Sequence, residues 1–222
     1  MARITTLACL LLAASVLAPG CASGPSAPLE MAAPASAEEA RMQDAIRRDP
    51  ENMDAHMDYA LFLIATQRGP EAEGEVRRVL KLDPDNALAH QQLAFILDAQ
   101  GKEGAAMREY RRSVELGPEQ PDMHWGFAGF LRDRGDLAAA EHHLREALRL
   151  QPEHVEARVD MAGVLLLGDR YVEAETEYRH ALRRAPDHAV AHRGLADVLD
   201  AQGRTAEAAA ERAAWERLQS AE

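Results

Sequence analysis

The chain has 222 residues, 47% of them apolar and only 5% aromatic, which suits one repeat array or one to two ordinary domains. Acidic residues number 37 against 25 Lys+Arg, for a net charge of −12. Such a surface repels phosphate backbones and anionic lipid, so nucleic acid is excluded as a partner. Only Cys9 and Cys21 could form disulfides, and both precede the region with helical periodicity.

Residues 1–20 read as an export signal. Arg3 forms a short positive start and Ile4 to Leu17 a run of apolar and small residues, too short for a comfortable membrane span. The stretch Leu17-Ala18-Pro19-Gly20-Cys21 resembles the processing site of bacterial lipoproteins, in which a small residue precedes a single cysteine. The resemblance implies that Cys21 becomes the mature N-terminus and carries acyl chains. Pro19 and Ala18 depart from that pattern, so ordinary secretion with cleavage nearby, or an uncleaved anchor, stays open. Cys9 would be discarded with the signal, and the mature chain would have no internal disulfide. Residues 21–35 carry the lipidated cysteine and a Ser/Ala/Pro/Gly tether without apolar periodicity. Fourteen residues of such coil reach roughly 20 Å on average and about 45–50 Å when extended.

Helix is expected to begin at Ser36, an N-cap followed by Glu38 and Glu39. Met42, Ala45 and Ile46 share one side of this segment, and Asp49-Pro50 ends it. Residues 36–52 therefore form an N-terminal cap helix over the segment that begins at Met53. From Met53 onwards the pattern repeats. Pro50, Pro84, Pro118, Pro152 and Pro186 lie 34 residues apart without a slip, the length of a helix–turn–helix repeat. The repeats number five: 53–86, 87–120, 121–154, 155–188 and 189–222. Position 8 is alanine in all five (Ala60, Ala94, Ala128, Ala162, Ala196), as is position 20 (Ala72, Ala106, Ala140, Ala174, Ala208). Position 11 is leucine in all five, from Leu63 to Leu199.

Positions 3, 7, 8 and 11 form the apolar stripe of a first helix, and positions 20, 24, 27 and 28 that of a second. Alanine at 8 and 20 lets crossing helices approach. Gly101, Gly135 and Gly203, at position 15, permit the positive φ that ends the first helix. Proline near the repeat's end stops the second. The alternating Glu and Arg of the second helices, such as Glu109, Arg111, Arg112 and Glu115, read as a solvated face. These positions resemble the tetratricopeptide repeat over residues 53–222. The resemblance implies an all-α, right-handed superhelical solenoid of helix pairs, each repeat stabilised by its neighbours.

Catalytic chemistry has little to work with. The repeats contain no cysteine, no glycine-rich phosphate loop, no HExxH and no nucleophile elbow, so a non-enzyme without cofactor or resident metal is expected. His56, His90, His124 and His192 occupy position 4, where the family usually places tryptophan, and read as semi-buried aromatic surrogates. His142-His143 and the pair His188 and His192 are weak chelates at best.

In solenoids of this kind the first helices line a concave surface through positions 2, 5, 9 and 12. Met57, Leu61, Ile64, Phe95, Trp125, Val159 and Leu166 fall there as an apolar strip, bordered by Asp54, Asp98 and Asp122. Met57 and Leu61, then Gln91 and Phe95, replace the Lys and Asn with which chaperone-binding relatives clamp a terminal carboxylate. Gly126, Gly129 and Gly163 weaken their helices, a cost suited to close approach by a ligand backbone. Trp125 is the expected anchor, and Trp215 marks a candidate homodimer contact at the C-terminal end. The expected function is a protein–protein interaction scaffold of the bacterial envelope, lipid-anchored and facing the periplasm, with pilus or secretion-system assembly named first by architectural analogy. A periplasmic metal or small-ligand binder using the histidines, an accessory subunit of an envelope enzyme, and a secreted soluble form remain alternatives.

Overall fold

The structure, a computed structural model, describes residues 36–220; the expectations for the signal segment, Cys21 and the tether fall outside the described residues. Among the described residues there are eleven α-helices and no strand. The cap is α1 (Ala37–Arg48). The first helices of the five repeats are α2 (Met53–Ala65), α4 (Ala87–Ala99), α6 (Pro121–Asp133), α8 (Val155–Leu167) and α10 (Ala189–Ala201). The second helices are α3 (Gly69–Leu82), α5 (Glu103–Leu116), α7 (Leu137–Leu150), α9 (Tyr171–Arg184) and α11 (Thr205–Gln219). Every helix packs on its successor, and from α4 onwards each first helix also touches the next first helix. The result is a helical-repeat solenoid.

Local signals place the helix ends. Ser36 accepts from the Glu39 N–H at 3.1 Å. Asn52, Asn86, His154 and His188 occupy one register position and N-cap α2, α4, α8 and α10 through their side chains. Gln120 does not, and Pro121 at the start of α6 stands in its place. Position 15 has positive φ in all five repeats: 72–76° at the three glycines, 60° at Gln67 and 58° at Asp169. Alanines at positions 8 and 20 are at most 1% exposed, as close helix crossing requires.

The position 4 histidines do more than fill space. His56 Nδ1 lies 2.6 Å from Glu75 Oε2 and Nε2 lies 3.0 Å from the Pro50 carbonyl. A carboxylate and a carbonyl both accept, so the ring must donate from both nitrogens. His56 is accordingly raised above the usual histidine range, chiefly by the Glu75 hydrogen bond and against the pull of burial. His90 meets Glu109 and the Pro84 carbonyl, and His192 meets Glu211 and the Pro186 carbonyl. Arg158 does the same with Glu177 and the Pro152 carbonyl. Each contact joins a first helix to its own second helix and to the preceding repeat. These residues are hydrogen-bonded struts rather than aromatic surrogates.

A second strut links neighbouring repeats through position 16. Arg68 reaches Glu39 at 2.6 Å and Glu71 at 2.7 Å, Arg170 reaches Glu141 and Glu173, and Arg204 reaches Glu175 and Glu207. Lys102 approaches Glu73 at 3.7 Å. Much of the charge expected on a solvated face therefore works between repeats. The cap obeys the same logic. It buries Glu39, Gln43 and Ile46, not Met42 and Ala45, because the Tyr59 hydroxyl donates to Glu39 at 2.8 Å and Gln43 donates to Tyr59 at 3.0 Å.

Repeat three departs from both devices. Position 23 is His143, whose Nδ1 lies 3.1 Å from His124 Nδ1, while His124 Nε2 meets the Pro118 carbonyl at 3.1 Å. Burial, with His124 and His142 alongside, pushes His143 down to about 4, so no carboxylate–histidine ion pair stands at this junction. Position 16 is Asp136, which N-caps α7, and the residue that would face it is Met107.

Two outcomes are expected. Relief of the left-handed backbone at Gln67, worth about 1–2 kcal/mol for an L residue, exceeds the added chain entropy of glycine, roughly 0.5–1 kcal/mol. Gln67→Gly should therefore raise Tm by a few degrees in a thermal melt, whereas Gly135→Ala should lower it. His143 takes up a proton more readily unfolded than folded, so its contribution is whole above about pH 6.5, the ordinary histidine value, and is lost as pH falls towards 4. His143→Glu removes that loss and restores the strut. The Tm of the variant minus that of wild type should grow between pH 7.5 and pH 5; a constant difference would argue against a neutral His143.

Candidate interaction groove

The first helices face a cavity of about 680 Å³ lined mainly by α4 and α6, with Ile64 from α2, Tyr110 from α5 and Asp160 from α8. Its apolar wall is exposed: Phe95 is 50% and Leu88 41% accessible. Such exposure is unusual for a phenylalanine whose helix buries Leu93, Ala94, Ile96 and Leu97 around it. Below lies an aromatic cluster. Tyr110 packs on Phe127 and Phe130 at 5.8 and 5.0 Å, and Phe127 on His143 at 4.7 Å.

The strip predicted from periodicity is only partly assembled. Ile64, Phe95 and Trp125 line the cavity together with Asp98 and Asp122. Leu61 is exposed but outside that lining, Leu166 is half-buried outside it, and Asp54 is exposed outside it. Met57 and Val159 are a correction: at 8% and 6% exposure they belong to the packing between helices. Gly126 is another, since a Cβ there would collide with the Gln91 side chain, which donates to the Asp122 carbonyl at 2.6 Å. Gly163 faces Tyr178, and only Gly129 of the three opens onto free space.

The polar groups are largely committed. Trp125 Nε1 donates to Asp160 Oδ2 at 2.6 Å, Arg132 holds Asp160 Oδ1 at 2.5 Å, and the indole lies 5.2 Å from the His154 ring. Asp160 pulls the Arg132 guanidinium upward against the opposing effect of burial. Asp98 is ion-paired with Arg134, whose guanidinium sits 3.6 Å over Phe130. Asp122 is 3.1 Å from His154 Nε2. The acidic border is thus partly neutralised from within. Sequence reasoning missed Asp160, Tyr110 and Arg134, which lie off the four positions considered. The tyrosine at position 24 of the second repeat was the available signal.

Among the described residues there is no cluster of three or more metal-ligating side chains. His188 is an N-cap and His192 a strut, so they do not converge. At the other end, Trp215 is half-buried with the Arg193 guanidinium 5.8 Å from its ring.

Residues 90–219, more than half of the chain, match the family model of the cilia and flagella-associated protein 70 middle TPR-like domain, and residues 34–87 match a tetratricopeptide-repeat model. The chain belongs to the tetratricopeptide-repeat family. No match to a curated protein sequence was found. Among solved structures, Pseudomonas aeruginosa PilF is similar with a TM-score of 0.70, 22% identity and 77% of each chain covered. YrrB, described as a TPR protein with an unusual peptide-binding site, is similar with a TM-score of 0.58 and 18% identity, over 80% of this chain and 92% of its own. Yeast Tom70 has a TM-score of 0.68 and 21% identity over 81% of this chain, which spans 39% of Tom70. These likenesses show the fold.

Asp160 is the residue that orients the groove's tryptophan in this repeat protein. Asp160→Ala leaves the indole N–H without its acceptor and Arg132 with Asp133 alone, a loss of about 1.5–3 kcal/mol for a hydrogen bond to a charged group. Stability to urea should fall by that order. Trp125 emission should also move to longer wavelength when Trp215→Phe removes the other indole.

Proposed function

We propose that this chain is a non-enzymatic scaffold of the bacterial cell envelope that holds a segment of a protein partner in the groove of its first helices. Tetratricopeptide repeats mediate protein–protein interaction, and the similar YrrB structure is described with a peptide-binding site. The observation that carries the reading is Phe95, half exposed in the wall of a 680 Å³ cavity beside Trp125. An exposed aromatic over a rigid aromatic floor gains from being covered. The sequence around Cys21 supports a lipid anchor, with the solenoid facing the periplasm on a short tether. Two or three acyl chains hold a protein stably where one does not. Pilus or secretion-system assembly is the subclass named first, by architectural analogy.

The groove is tested by Phe95→Ala with Trp125→Ala, folding being checked by circular dichroism. Truncating a central interface aromatic costs on the order of 2 kcal/mol or more, so crosslinked partner recovered from intact envelope should fall at least severalfold. Undiminished recovery would move the working surface elsewhere. In the same cells wild type should fractionate with membranes and Cys21→Ala should not. A soluble mature chain starting after an ordinary signal cleavage would overturn the anchor.

A further inference from the structure

One polar group in the groove is left without a partner by the protein itself. Tyr110 is 4% exposed and lines the cavity, its ring fixed against Phe127 and Phe130. No described residue hydrogen-bonds its hydroxyl. The ring is buried, but the hydroxyl oxygen opens into the cavity, where a group from outside the chain can reach it. Burial, then the carboxylate of Asp98, push the phenol up to about 12, and it stays neutral near pH 7.

The surrounding charge selects the occupant. Asp98, Asp122, Asp133 and Asp160 line the cavity, against Arg132 as the lining cation. Arg134, paired with Asp98, adds a second positive charge. Four carboxylates against two guanidinium groups leave a negative surplus, so an incoming carboxylate is repelled and an incoming cation is drawn in. The apolar wall of Ile64, Leu88 and Phe95 requires that the cation arrive on an apolar carrier. A lysine or arginine side chain has that form, an aliphatic stem with a charged head.

Resting on the groove reading, we propose that the cavity is a subsite for one lysine or arginine side chain of an otherwise apolar partner segment. The cationic head donates to the Tyr110 hydroxyl oxygen and faces Asp98 and Asp133, while flanking apolar residues cover Phe95 and Leu88. The chemistry is opposite in sign to a clamp for a terminal carboxylate.

The probes are short labelled peptides rich in leucine and phenylalanine, identical except for one central residue: lysine, arginine, norleucine or glutamate. Binding to the full chain carrying Trp215→Phe is monitored by anisotropy and by Trp125 emission. The lysine and arginine peptides should bind about tenfold or more tightly than the norleucine peptide, as a charge-assisted hydrogen bond allows, and glutamate should bind worst. Tyr110→Phe, which removes only an unpartnered oxygen, should leave the melting temperature in place and reduce the preference for lysine or arginine over norleucine several-fold. Asp133→Asn, at an exposed position, should reduce it as well. Equal affinity for all four peptides with a shift of Trp125 emission overturns the cation subsite and leaves the groove reading standing. A cation preference that survives Tyr110→Phe and Asp133→Asn undiminished also overturns it. No binding by any peptide removes both readings.

Discussion

A histidine or arginine at position 4, held between the proline carbonyl of the preceding turn and a glutamate of its own second helix, ties three segments of chain together. His56, His90, Arg158 and His192 all make this contact, with distances of 2.5–3.0 Å. A helix pair of this size cannot bury both of its apolar faces, so its position depends on the next pair. Apolar contact supplies the attraction but is non-directional. The strut supplies direction, because a guanidinium or imidazole ring reaches both acceptors at only one relative placement of helix and turn. Arginine and histidine substitute for one another here because each presents two nitrogens along divergent directions.

Repeat three shows what replaces the strut. With His143 for glutamate, Asp136 for arginine and Met107 for the facing acid, both electrostatic links vanish at one junction. Stacked rings take over: Tyr110, Phe127, Phe130, His124 and His143 form a continuous cluster. Rings lock less specifically than ion pairs but fill volume. Above them the small residues Gly126 and Gly129 leave room that Gln91 only partly fills. The cavity opens where the chain changes its means of joining repeats.

The groove that results is apolar at its wall, aromatic at its floor and polar along its border. Asp160 and Asp98 are spent on Arg132 and Arg134, which hold the helices of adjacent repeats in place. Phe95, Leu88 and the Tyr110 hydroxyl are spent on nothing inside the chain. A rigid rim with unpaired contents is the form of a binding surface. The same ion pairs that reduce its negative charge also hold Trp125 in a single orientation.

Much of the fold was legible in the linear pattern. Proline and alanine at a period of 34 set the helix pairs, and their ends fall where Asn52, Asn86 and the glycines at position 15 place them, because caps and left-handed turns depend on residues a few places apart. The positive φ at Gln67 and Asp169 was not legible, since neither residue is glycine and the turn is imposed by the helices on either side. The groove was half legible. Position 9 is open at Leu61 and Phe95, yet at position 5 Met57 and Val159 are buried while Trp125 is not. Periodicity assigns a residue to a stripe of its own helix, but exposure on that stripe depends on how closely the helices of neighbouring repeats approach. Those approaches are fixed by pairs 19 to 36 residues apart, His56 with Glu75 or Asp98 with Arg134. No local pattern records them, because the partners meet only after the helices have stacked.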